Sequence, residues 1–285
     1  MPHEASVVDI DKLRQWIGRC ESASDVITPR LEASLRAVFD QDIGDPRAGD
    51  PATPTVHWCL APAIIPMSGL GPDGHPERGG FMAPVPLRRR MWAGGDVTFI
   101  EPLRVGDVVT RESEILDVSL KSGRSGPLCF VTVRHRLSTM RGLAIEERQD
   151  VVYRDEPQAG KRSPPIERQP EPEWRQEVAC GPTLLFRYSA LTFNGHRIHY
   201  DRAYATSQEG YPDLVVHGPL QAALLLKLAV RARGSLPRSF SFRGVSPLFA
   251  TGSFSVNAMA AAEGLHLWSA DAGGSKTMDA TARWS

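Results

Sequence analysis

The chain has 285 residues, 41% hydrophobic and 23% charged, a balance that excludes whole-chain disorder and leaves room for two lobes or one large domain. Lys plus Arg equal Asp plus Glu, 33 against 33, so no single-signed field draws nucleic acid or an anionic membrane, and an anionic ligand must be met locally. Cys20, Cys59, Cys129 and Cys180 lie far apart with no CxxC pair, which excludes a disulfide scaffold and points to free thiols.

The opening MPHEASVVDIDKLRQW is acidic and amphipathic where a secretory leader would be basic and then apolar, so a cytoplasmic location is expected. Ile10, Leu13, Trp16 and Ile17 recur at helical spacing behind Asp9 and predict a first helix. Thr28 followed by Pro29 predicts a second, running to about Phe39. From Asp40 to Arg90, SGLGPDGHPERGG and MAPVPL should break regular structure.

Four runs then alternate apolar and polar residues: VTFIEPL, DVVTRESEILDVSL, CFVTVRHRL and ERQDVVYR. Alternation predicts an antiparallel sheet with one covered face. RDEPQAGKRSPPIERQPEPE, with little to bury, reads as a linker. Beyond it come LLFRYSALTFNGHRIHYD, a loop through EGYPD, and LQAALLLKLAV from Leu220 to Val230. That apolar run carries Lys227 and is too short to span a bilayer, so it predicts a buried helix of about four turns from Pro219 rather than membrane insertion. Three further strand-like runs close the chain.

VTFIEPLRVGD at 97–107 and FSFRGVSPLFATG at 240–252 share an apolar residue, a Pro-Leu pair and a following Gly. They suggest an internal repeat, each unit an α+β layer of curved antiparallel sheet wrapped around a helix. The boundaries drawn are 1–154, a linker at 155–177, and 178–285.

The densest polar constellation is FRYSALTFNGHRIHYDRAYA, with LVVHGPLQAALLLK following closely. His196, His199 and His217 sit there among Tyr188, Thr192, Asn194, Arg197, Tyr200 and Asp201. For His196 and His217, packing or hydrogen bonding weighs as much as catalysis. The spacing of the three matches no zinc motif and Cys180 is remote, so no metal is expected. The Gly-rich loops lack GK[ST], and no GxSxG occurs, which leaves nucleotide hydrolysis and serine esterase chemistry without support.

This segment resembles the motif of (R)-specific enoyl-CoA hydratases and MaoC-like dehydratases, which runs aromatic, Ser or Thr, Gly, Asp, any residue, Asn, Pro, aliphatic, His. Thr192 falls at the Ser/Thr position, Phe193 at the Gly, Asn194 at the Asp, His196 at the Asn, Arg197 at the Pro, and Ile198 and His199 at the aliphatic and the His. RYSALTFNGHRIHYD with GYPDLVVHGPLQA is more closely similar to the subgroup of 3-hydroxyacyl-thioester dehydratases and mesaconyl- and itaconyl-CoA hydratases, and GPDGHPERGGF and PLRRRMWAGGDVTF extend the resemblance into the first half.

The resemblance implies a double hot-dog fold, two antiparallel sheets each wrapped around a central helix, with the N-terminal unit degenerate in its helix region and the C-terminal unit catalytic. It implies a hydro-lyase acting on an acyl-CoA or acyl-carrier-protein thioester, with coenzyme A as part of the substrate and no cofactor. Mesaconyl-CoA or another branched or dicarboxylic acyl-CoA is the narrower expectation. A medium-chain 3-hydroxyacyl thioester, a thioesterase and a non-catalytic acyl-thioester binder are the alternatives, and homo-oligomer formation is left open.

Hydration needs a base for water, an acid for the α-carbon, and donors for the enolate oxygen. His199 is the expected acid/base group. Asn194, an amide, can orient water but cannot shuttle its proton, so either it only positions, or Asp201, Glu209 or a residue from the other lobe completes the site. Gly218, ahead of the apolar helix, is the expected oxyanion donor. Arg88, Arg89 and Arg90 read either as a solvated surface turn or as contacts for coenzyme A phosphates, and Arg187 and Arg197 as further contacts for phosphate or a second substrate carboxylate. His196 and His217 complete the expected substrate-binding set.

Overall fold

The computed structural model describes residues 8–123, 126–155 and 169–285. Helix α1 (Ile10–Arg14) starts where Asp9 accepts the Lys12 N–H, and it stops after 5 residues. Trp16 and Ile17 fall in the turn beyond it, before Gly18 at φ 82°. Strand β1 (Cys20–Val26) leads to α2 (Pro29–Val38), whose first turn is capped by the Thr28 hydroxyl accepting from Leu31 N. The Gly- and Pro-rich stretch then holds only short 3-10 turns at Val56–Cys59 and Met67–Gly69.

Strands β2 (Arg89–Phe99), β3 (Val108–Gly123), β4 (Gly126–Thr139) and β5 (Gly142–Arg154) follow. The arginine run is therefore not a surface turn: Arg89 and Arg90 open β2, paired with Arg154 and Tyr153 of β5. Strand β6 (Trp174–Cys180) begins inside the span assigned to the linker. Its Trp174–Glu177 portion pairs with Asn257, Ala258 and their neighbours, so the linker is shorter at this end, and the rest of it lies largely outside the described residues.

Then come α3 (Pro182–Thr192), α4 (Arg202–Ser207), α5 (Gly218–Arg233) and strands β7 (Ser239–Gly244), β8 (Gly252–Ala261), β9 (Gly264–Asp271) and β10 (Lys276–Arg283). The 16-residue α5 is buried nearly all round and packs on β6, β7, β8, β9 and β10. Leu220, Leu225 and Leu228, each at most 1% exposed, contribute roughly 2 kcal/mol apiece. Lys227 reaches out of this apolar helix to give its ammonium to the Phe39 carbonyl at the end of α2. Among the described residues no helix is long and apolar enough to cross a membrane.

All ten strands form one antiparallel sheet in the order β1-β3-β4-β5-β2-β7-β10-β9-β8-β6. The order reads the same from either end: each half places its second strand at the centre, its last strand next to that, and its first strand at the edge. The sequence repeat is thus a repeat of topology, and Val97 and Phe240, which open the two similar segments, sit opposite each other in the β2–β7 pairing. The α+β double hot-dog stands, with two refinements. The two sheets fuse through β2 and β7, and among the described residues only the second half supplies a long central helix. The Gly- and Pro-rich stretch of the first half cannot propagate one.

At the seam, close approach dictates sequence. A Cβ on Gly94 would lie 2.6 Å from the Phe242 carbonyl oxygen, and one on Gly95 2.3 Å from that of Arg148. Only glycines let β2 run between β5 and β7 at this point.

Candidate active site

Helix α3 ends at Thr192, whose hydroxyl returns to the Tyr188 carbonyl, and Phe193 closes it in the left-handed region at φ 50°, ψ 35°. The resemblance puts glycine at this position, and the backbone explains why. The turn then delivers Asn194, His196 and His199 to one wall of a cavity of about 580 Å3, within the usual range for a small-molecule site.

His199, 7% exposed, has its Nδ1 at 2.7 Å from the Val215 carbonyl oxygen. A carbonyl only accepts, so Nδ1 carries the proton and Nε2 keeps a lone pair. Burial pushes His199 down to about 4, against the opposing pull of the Val215 bond. The neutral ring is therefore its resting form at neutral pH. His217 stacks on His199 at 3.7 Å between ring centroids and bonds Ser189 Oγ through Nε2 at 2.8 Å. It stands behind His199, away from the cavity lining, so the substrate-contact role expected of it is not supported.

Asn194 Oδ1 accepts the His196 N–H at 3.0 Å, which fixes the amide in the lining. Gly218 also lines the cavity as the first residue of α5, whose first-turn N–H groups have no acceptor within the helix. A Cβ there would come 3.0 Å from Trp92, so glycine is what lets the indole close on the helix end.

The three arginines all line the cavity but differ in exposure and partners. Arg88 is exposed, while Arg89 pairs with Glu209 at 3.3 Å and lies over the Tyr211 ring. Arg90 lines the cavity, its charge bearing on His75, His196 and Tyr153, and no described carboxylate pairs with it. Arg187 is exposed on α3, outside the lining. Arg197 is committed to Asp201 at 2.7 Å and to the Pro72 carbonyl at 3.0 Å, so it braces the motif rather than facing substrate. Asp201 is its partner and the cap of α4, outside the lining, whereas Glu209 lines the cavity, paired with Arg89 and accepting from Tyr204 Oη at 3.2 Å.

Sequence reasoning missed the groups that the first half brings in. Arg197 N donates to the Asp73 carbonyl, and Gly74 packs so tightly on Gly195 that a Cβ on Gly74 would stand 2.0 Å from the Gly195 oxygen. This contact splices the loop around residues 71–78 onto the motif. It sets Asp73 Oδ2 3.1 Å from His75 Nδ1, and the His75 ring 4.0 Å from that of His196, itself 5.4 Å from His199. Burial pushes His75 and His196 down, and although burial pushes Asp73 up, its hydrogen bonds and charge contact with His75 outweigh that and hold it ionised. Donor atoms of Asp73, His75 and His196 lie within 4.8 Å of one another, near enough to share an ion. The Asp73–His75 hydrogen bond already accounts for the closest of these contacts.

The first half lines the rest of the cavity with apolar side chains such as Trp92, Val133 and Val151 and with a group of buried polar ones. Glu147, 2% exposed, accepts from Trp58 Nε1 at 2.9 Å and Gln149 Nε2 at 2.8 Å, and lies 3.5 Å from His57 Nε2. Burial pushes its carboxyl up, but His57 and His135 outweigh that and keep it below the ordinary value. His135 bonds Ser113, and Arg111 donates to the Leu60 and Ala61 carbonyls while its Nε is buried without a partner.

Residues 55–250 match the family model for hydroxyacyl-thioester dehydratase type 2. The chain is 48% identical over 236 residues to a mesaconyl-C(4)-CoA hydratase of Chloroflexus aurantiacus, covering 82% of this chain and 84% of that one. It is 29% identical to the mitochondrial hydroxyacyl-thioester dehydratase type 2 of Schizosaccharomyces pombe, over 69% of this chain and 74% of the other. In structure it matches HtdX of Mycobacterium tuberculosis with a TM-score of 0.67 at 20% identity, over 93% of this chain and 99% of that one.

Proposed function

Because the chain belongs to the hydroxyacyl-thioester dehydratase type 2 family, we propose that it adds water reversibly to a coenzyme A enoyl thioester whose short acyl group bears a second carboxylate, mesaconyl-CoA or a close relative. The named relatives are a hydratase and a dehydratase, the two directions of this reaction. The acyl group is read from the cavity.

The observation that carries the reading is the presence in one cavity of a neutral, backbone-anchored His199 and of Arg90, which no described carboxylate neutralises. His199 Nε2 holds the attacking water at the β-carbon, and Asn194 helps to orient it. The Gly218 N–H at the end of α5 receives the thioester oxygen as it becomes an enolate. Arg90 receives the second carboxylate, which bidentate geometry suits. The polar groups in the lining, His57, Arg111, His135, Glu147 and Gln149, favour a short polar acyl group, since a medium-length alkyl chain laid against them would return no hydrogen bonds.

The test is a hydration assay over mesaconyl-CoA, crotonyl-CoA and a medium-chain 2-enoyl-CoA, followed by loss of the conjugated-enoyl absorbance. Mesaconyl-CoA should give the highest kcat/KM. Faster turnover of the medium-chain ester would overturn the acyl assignment, and turnover of none would overturn the hydratase reading.

A further inference from the structure

Resting on that reading, we propose that the acid/base group missing at Asn194 is supplied by the other half of the chain: His75, oriented by Asp73, takes the proton from water and returns it to the α-carbon. A carboxylate at position 194 would offer the water an acceptor that can ionise. Asn194 cannot, and its Oδ1 already serves the His196 N–H.

Four observations converge on His75. It lines the same cavity as His199 and Gly218. Its Nδ1 is taken by Asp73 Oδ2 at 3.1 Å, which leaves Nε2 as the nitrogen able to accept a proton. Its ring contacts that of His196, and its charge bears on His199. The Gly74–Gly195 and Arg197–Asp73 backbone contacts fix the loop to the motif, so the dyad is built into the site.

Asp73 also decides which histidine accepts. Protonated His199 would be a buried cation among histidine rings, with no described carboxylate against it. Protonated His75 would sit against a carboxylate. A carboxylate behind an imidazole fixes the tautomer and stabilises the imidazolium that forms, as in hydrolytic triads. The other charged or titratable groups facing His75 are Arg78, Arg90, His196 and His199, which disfavour its charged form, so Asp73 is the partner that counterbalances them.

The step balances. A water O–H bond breaks, its proton goes to His75 Nε2, and the oxygen bonds to the β-carbon. The π pair moves toward the α-carbon and carbonyl, leaving an enolate oxygen on the Gly218 N–H. The enolate then collapses as the α-carbon takes the proton from His75 Nε2, which restores both the thioester and the neutral imidazole. His199 holds the water by its other hydrogen throughout.

The test starts from wild-type protein with measurable hydration of an enoyl-CoA ester, so that failure of the functional reading is seen first and separately. His75→Gln should then lower kcat at least ~100-fold with KM within about threefold. Asp73→Asn should lower kcat less, and should move the acid limb of the kcat/KM profile to lower pH, because removing the carboxylate disfavours imidazolium. Adding Asn194→Asp to His75→Gln should recover at least ~10-fold of the lost rate by restoring an ionisable acceptor. Near-wild-type kcat in a folded His75→Gln protein would overturn the proposal. So would an unmoved acid limb in Asp73→Asn, or activity that vanishes on metal stripping and returns with a divalent ion.

Discussion

His199 Nδ1 and the Val215 carbonyl oxygen are 2.7 Å apart, so the tautomer of the motif histidine is set by backbone and not by a carboxylate. That bond depends on no neighbouring side chain for its acceptor, which lets His199 be tested alone. His199→Ala should lower kcat for enoyl-CoA hydration by at least ~100-fold while the circular dichroism spectrum stays native. Near-normal turnover in a folded variant would remove His199 from the mechanism.

Arg89 and Arg90 both line the cavity, and they should separate in kinetics because Arg89 is paired with Glu209 while no described carboxylate pairs with Arg90. Arg90→Ala should lower kcat/KM for mesaconyl-CoA by about 10–100-fold, the equivalent of a lost charge-assisted contact, and leave crotonyl-CoA within about threefold. Arg89→Ala breaks the Glu209 pair and should affect both esters alike. Equal losses on both esters in Arg90→Ala would mean that Arg90 holds coenzyme A or the fold rather than the second carboxylate.

Acid should destabilise the protein well above the carboxylate range. Burial holds His199 at about 4 and pushes His196 and His217 down as well, whereas an unfolded histidine titrates near ~6.5. Between those values the unfolded chain binds more protons, so unfolding free energy falls as pH falls. His199 alone accounts for about 2 kcal/mol lost by pH 5. Urea midpoints at pH 7.5 and 5.0 measure it, and identical midpoints would contradict neutral burial of these rings.

Phe193 is 60% exposed and holds φ 50°, a backbone state that disfavours a side chain by about 1–2 kcal/mol. Phe193→Gly should therefore raise stability by about 0.5–1 kcal/mol after the greater freedom of glycine in the unfolded chain is discounted. A lower denaturant midpoint would show that the ring makes a contact worth more than the strain.

What the sequence revealed follows the range of the forces involved. Asp9 and Thr28 cap their helices as read, since capping is settled within three residues. Strand β6 hid because its alternation, Trp174, Gln176, Val178 and Cys180 on one face, abuts a run of proline and charge. Helix α3 hid because polar Ser189 falls on its buried face and apolar Phe186 on its exposed one. His199 was legible through its local motif. His75 was not, because its contact with His196 spans the two halves, and only an Asp-Gly-His triplet in a glycine-rich loop hinted at it.

The continuous β2–β7 seam bears on how the protein behaves when it is scarce. A site assembled between separate copies answers to a dissociation constant and disappears on dilution. Here both walls of the cavity come from one chain, and a covalent tether keeps its parts at an effective concentration on the order of millimolar. Specific activity should then hold constant down to the lowest enzyme concentration an assay can follow.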